Sequence, residues 1–141
     1  MFKRILIGGL VGGTLVSALL GASDEKLGEW RALLSPDLGN AEFPAGIWTQ
    51  EDGILTASED QMLWTARDYK DFDLEVEFKT DDGTNSGVLI YVSDPANWVS
   101  NSVEVQIADD FSEQWSKADP TWQCGALFGH LAPTKSMVKR P

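Results

Sequence analysis

Two carboxylates and a single histidine are the side chains of this sequence best suited to acid–base work, with one amide beside them suited to binding. In "NSVEVQIADD", residues 101–110, Val103, Val105 and Ile107 alternate with Glu104 and Gln106, and Asp109 and Asp110 follow at once. Such alternation marks a strand with one apolar and one polar face. Glu104 and Gln106 therefore share a side. That side is either the wet face of a half-buried strand or the floor of a binding site, and the strand alone does not decide. His130 is the only histidine, so a multi-histidine metal centre within this chain is excluded. Cys124 is the only cysteine; it has no internal disulfide partner, and its type suits a small buried group better than a nucleophile.

The elements that must position these residues read mainly as strands. "EKLGEWRALLS" has Leu27, Trp30, Leu33 and Leu34 at helical spacing and is expected to form a turn or two of helix. Beyond it the helical signal disappears. "GILTAS" (53–58) and "QMLWTA" (61–66) are short β-type runs, expected to pair as a hairpin across Glu59–Asp60. "DFDLEVEFKT" (71–80) is the clearest strand, with Phe72, Leu74, Val76 and Phe78 on one side and charge on the other. "DDGTNSG" (81–87) is a turn; a calcium-loop reading fails because Val92 stands where the closing Glu belongs. "GVLIYVS" (87–93) reads as a central strand and "CGALFGHLAP" (124–133) as one more. Short strands joined by Gly, Pro and Asp turns indicate an all-β sandwich or barrel.

A chain of 141 residues allows one domain, and 43% hydrophobic residues with six Trp and six Phe allow a real core. With 22 acidic against 11 basic residues the net charge is -11, which makes nucleic acid a poor partner. Residues 1–22 read as a signal peptide, since Lys3 and Arg4 precede an uncharged apolar run from Ile5 to Ala22. An uncleaved N-terminal anchor is the alternative, which five glycines in the run disfavour, and it is the only membrane link expected. The chain is thus expected to be exported, to the periplasm or the medium. The final "LAPTKSMVKRP" carries no closing strand. About six strands are expected in all, so residues 23–141 read as a partial domain.

Four segments, "IWTQEDGILTA" with "LWTARDYKDFDLEVEFK", then "GTNSGVLIYV", "VEVQIADD" and "CGALFGHLAP", together resemble the 3-keto-disaccharide hydrolase family. The resemblance covers roughly Leu27 to Pro141. It implies an antiparallel two-sheet jelly-roll sandwich, concanavalin-like, incomplete here at the C-terminus. It also implies cleavage of glycosides whose sugar has been oxidised at C3, with a small carbohydrate as the partner. A 3-keto group acidifies the proton at C2; a base removes it, the enolate expels the group at C1, and water adds back. Such a path needs a base near C2–H and a donor pair or metal for the enolate oxygen. Some family members use a divalent cation.

On that fold Glu104 and Gln106 would line the concave sheet, and a bulge near Ala108 would bring Asp109 beside them. The resemblance implies Glu104, Asp109 and His130 as catalytic candidates, with the same three as possible ligands of a divalent metal. Asn85, Gln106, Trp98 and Trp115 are the substrate-binding candidates, the last two by stacking on a sugar ring. Ser86 suits the turn better. The layout is similar to the Glu-x-Asp-x-x-Glu strand of laminarinase-like glycosidases. Here Gln replaces the middle acid, and Asp the last. Ordinary retaining hydrolysis wants two carboxyls about 5–5.5 Å apart, so these replacements favour the keto-assisted route. A non-catalytic carbohydrate-binding module and an inactive truncated member are the alternative readings.

Overall fold

The computed structural model describes residues 6–9, 14–17, 30–136 and 138–139. It is all-β, two antiparallel sheets packed as a sandwich, with helix only as short 3-10 turns among the described residues. The strands are β1 (Leu6–Gly9), β2 (Thr14–Ser17), β3 (Ala41–Glu42), β4 (Trp48–Glu51), β5 (Ile54–Ala57), β6 (Gln61–Thr65), β7 (Asn85–Ile90) and β8 (Val103–Ala108). The larger sheet runs β3-β6-β1-β7-β8 and the smaller β2-β5-β4.

Trp48 and Leu55 of the small sheet meet Leu63, Val88 and Ile107 of the large one, with Leu33, Leu34, Leu38 and Tyr69 closing the core. Alternation does the rest. In the β7–β8 register Val88 faces Val105 and Ser86 faces Ile107 on the core side. Leu89 faces Glu104 and Gly87 faces Gln106 on the side turned away from the small sheet. The polar face of β8 is therefore the outer face of the large sheet.

The expected hairpin across Glu59–Asp60 does not form: β5 belongs to the small sheet and β6 to the large one. The hairpin is β4–β5, closed by Asp52 and Gly53 with φ of 51° and 79°. Positive φ at both central residues is what a tight two-residue turn between twisted strands requires, and Asp-Gly supplies it. The stretch from Trp30 to Leu34 is not helical; Leu33 and Leu34 are both buried, a pattern one helical stripe does not require. The remainder of that helical expectation lies outside the described residues.

Residues 72–77 keep the expected burial alternation, with Phe72, Leu74 and Val76 packed against the core, but no described strand pairs with them. Phe78 is exposed. Residues 124–131 are not a strand. They follow the outer edge of β8 through Gly125 N–H to Gln106 O (2.8 Å), Gln106 N–H to Ala126 O (3.0 Å) and Phe128 N–H to Glu104 O (3.0 Å). Gly125 and Gly129, at φ 83° and 71°, turn this ribbon too sharply for a continuous ladder.

Of the run read as a leader, the two described pieces are strands. β1 lies between β6 and β7, and β2 pairs with β5. The expected boundary after residue 22 lies outside the described residues. No described helix is long and apolar enough to cross a membrane.

Candidate functional site

On the outer face of the large sheet a cavity of about 230 Å³ opens over β7 and β8. Its floor is Asn85, Gly87 and Leu89 of β7 with Glu104 and Gln106 of β8, all on one face by the register. The 3-10 turn Pro95–Ser100 supplies one wall with Trp98 and Val99, and the ribbon supplies the other with Phe128 and His130. Each wall is tied to the floor. Ser102 Oγ donates to Trp98 O (2.7 Å), and Phe128 N–H donates to the carbonyl of Glu104 itself (3.0 Å). Tyr91, at φ 58°, ends β7 in a conformation that non-glycine residues seldom adopt, redirecting the chain towards the Trp98 turn. Trp98 packs with Leu89, Val92, Met62 and Trp64 in a small apolar cluster of its own.

Glu104 is the chemical centre of this cavity. Burial pushes its carboxyl up to about 7. It lies close over the backbone of Gly87: a Cβ there would overlap Oε1 and come within 2.8 Å of Cγ. The glycine makes room for the carboxylate. Gln106 is 1% exposed, and its amide lies 2.8 Å from Asn85 Oδ1. Turned over, the Gln106 amide nitrogen donates to Ser86 O (3.1 Å) and Glu104 Oε1 (3.2 Å), leaving its oxygen against an Asn85 amide turned to match. We favour this orientation because it gives the buried nitrogen two acceptors. A donor on the ionised carboxylate works against the upward shift from burial.

The cavity thus unites Glu104, Gln106, Asn85, Trp98 and His130. Two expected members are elsewhere. Asp109 is 4% exposed and does not line the cavity; β8 pairs regularly through Asn85–Ala108, and Asp109 N–H goes on to Thr84 O (3.0 Å), so no bulge redirects it. Its carboxylate accepts from Gly83 N–H (3.0 Å) and Phe111 N–H (3.1 Å), fixing the turn that starts β7. Trp115 is buried, its indole N–H donating to Gly83 O (3.2 Å), so it braces the same turn and offers no face to a ligand. Ser86 points its hydroxyl to the core side of β7.

The metal-ligand set Glu104, Asp109 and His130 therefore does not assemble. Among the described residues no three His, Cys, Asp or Glu side chains come close enough to hold an ion. Cys124 is buried, burial raises its thiol, and it does not line the cavity. Phe128, Met62 and Asp60 line the site without having been expected there. Phe128 stands two residues before His130, so the period-two rule that paired Glu104 with Gln106 could have found it. Asp60 belongs to a connection between sheets that had been read as a hairpin turn.

Fold and site together define an all-β two-sheet protein with a small cavity on the outer face of its larger sheet. The chain belongs to the family of 3-keto-alpha-glucoside-1,2-lyase-like domains, whose family model matches residues 22–141. Among solved structures it is similar to a crystal structure described as a "putative glycosyl hydrolase" from Parabacteroides distasonis, with 44% identity and a TM-score of 0.77. That likeness covers 80% of this chain and 58% of the other, so this chain spans little more than half the length of that protein. No curated protein matches it.

Proposed function

We propose that this chain cleaves 3-keto-glycosides by eliminating the group at C1, with Glu104 as the base. One observation carries the reading: a carboxyl with its pKa raised to about 7 sits on the floor of a pocket sized for one ring. A base titrating near neutral pH balances ionised fraction against proton affinity. Glu104 takes the proton from C2, and the C–H electron pair becomes the enolate of the 3-keto group. The enolate re-forms the carbonyl while the C1–O bond breaks, leaving a C1–C2 double bond and an alkoxide that must be protonated. We assign that proton to His130, supported by its share in the same cavity lining. Water then adds across C1–C2 to give the free keto-sugar. The amides of Asn85 and Gln106 bind hydroxyls and the enolate oxygen, and Trp98 takes the C–H face of the ring. No step is routed through a metal, because the described donors do not form a site for one.

The family and the similar structure support a glycoside as substrate; the oxidised C3 is the finer part of the proposal. Export to the periplasm or medium belongs with it, on the strength of Lys3, Arg4 and the uncharged run behind them. The test is Glu104→Gln on a 3-keto-glucoside, which is expected to lose turnover and keep binding within a few-fold. Should unoxidised oligosaccharides bind while no 3-keto-glycoside is cleaved, the protein is a binding module and the enzyme reading is wrong.

A further inference from the structure

At the edge of the pocket two large aromatic rings stand side by side, Phe128 in its wall and Trp122 beyond it. Trp122 is 45% exposed and Phe128 37%, and they stack with centroids 5.6 Å apart and planes 26° from parallel. The main chain holds them there. Gly129 N–H donates to Thr121 O (3.0 Å), and Trp122 N–H to Asp119 O (2.8 Å). The Asp119 carboxylate accepts from both Thr121 N–H (2.9 Å) and Thr121 Oγ1 (2.7 Å). Opposite, Val99 lines the cavity while 77% exposed. Exposed apolar surface gathered at the rim of a cavity is a feature that ligand-binding grooves share.

We propose that the Trp122–Phe128 pair is a platform for the leaving group and selects an aglycone with a flat apolar face, an aryl group above all. The inference rests on the sugar-pocket reading and adds the substrate class to it. A cavity of about 230 Å³ falls below the roughly 300–1,000 Å³ of sites that enclose larger ligands, so it takes one ring and not two. The second part of a glycoside must then lie at the mouth. Phe128 is bonded through its backbone to Glu104, the base at C2, so a group leaving from the neighbouring C1 passes beside Phe128. Val99, Phe128 and Trp122 offer ring and methyl surface there. A second sugar, with hydroxyls around its edge, would need polar partners that these three side chains do not supply.

The test is calorimetric titration of Glu104→Gln, which binds without turnover, with methyl 3-keto-glucoside, phenyl 3-keto-glucoside and a 3-keto-disaccharide. The phenyl compound is expected to bind roughly fivefold to tenfold tighter than the methyl one, the usual strength of an aromatic pair. Adding Trp122→Ala, a residue outside the cavity lining, should erase that preference and leave the methyl compound's affinity within about twofold. Equal affinity for phenyl and methyl compounds overturns the platform while the pocket stands. A phenyl preference that survives Trp122→Ala also overturns it. A disaccharide that gains as much as the phenyl compound overturns the aryl assignment in favour of a second sugar. Absence of binding by all three ligands overturns the pocket reading and the platform with it.

Discussion

At the scale of single residues, Glu104 sets chemistry and stability against each other. Its carboxyl is raised from 4.5 to about 7 by burial, so the folded chain keeps a proton that the unfolded chain releases between those values. Stability from this group is therefore complete below about pH 4.5 and is lost as the pH rises through about 7. The loss is at most about 3 kcal/mol, and smaller because the carboxyl still meets solvent in the cavity. Thermal melts should show Glu104→Gln matching the parent at pH 4.5 and melting higher at pH 8. Parallel curves across that range would mean that the carboxyl is not shifted. The base needs its ionised form, so kcat/KM should climb through pH 7 from the acid side, opposite in direction to stability.

Gly87 is the second residue to test. Gly87→Ala puts a methyl where the carboxylate lies, and a base displaced by about an ångström costs about a hundredfold in rate. Circular dichroism should show the fold unchanged, and a variant with normal kcat would show that the carboxylate is not held over Gly87. The pairing of Glu104 with Gln106 was readable from alternation alone. The room made by Gly87 was not, since it depends on which strand lies alongside.

At the scale of elements, the site depends on where β7 begins. Asp109 and Trp115 both bond to Gly83, one to its N–H and one to its carbonyl, and Asn85 stands two residues on. Asp109→Ala removes the carboxylate that accepts from Gly83 N–H and Phe111 N–H, two part-buried bonds, which should lower stability by about 1 kcal/mol. The kcat should stay within a few-fold, with any loss appearing in KM as Asn85 loosens. A thousandfold fall in kcat with the melt unchanged would return Asp109 to the catalytic set. Strand type was legible wherever the pattern is local, as in residues 103–108 and 87–90, although the strand starts at Asn85, inside the stretch that reads as a turn, and ends at Ile90, short of Ser93. Partnership was not: nothing within "GILTASEDQMLWTA" says that its two halves join different sheets. The Asp-Gly turn before it was the better hairpin signal, and the chain took it.

At the scale of the molecule, the N-terminal run answers to two demands. Its charge and hydropathy suit a leader to be removed. In the folded chain, however, β1 is paired on both sides, Leu6–Gly9 against Gln61–Trp64 of β6 and against Ser86–Leu89 of β7. β7 carries Asn85, Gly87 and Leu89 of the cavity floor, so the run pairs directly alongside a strand of the site. Removing residues 1–22 takes β1 out of the middle of the large sheet and β2 off the edge of the small one, leaving β5, β6 and β7 with unpaired backbone edges. Residues 23–141 alone should therefore melt several degrees below the full chain, with a broader transition and a weaker near-UV signal from the tryptophans. Added salt should not restore them, since the deficit lies in hydrogen bonding and packing and not in the acidic surface charge. If the two forms melt alike, β1 contributes nothing to the sheet and the run is a leader only. If the shorter form is the weaker, β1 and β2 together hold the sandwich, and an exported form that has lost residues 1–22 carries β6 and β7 without the strand between them.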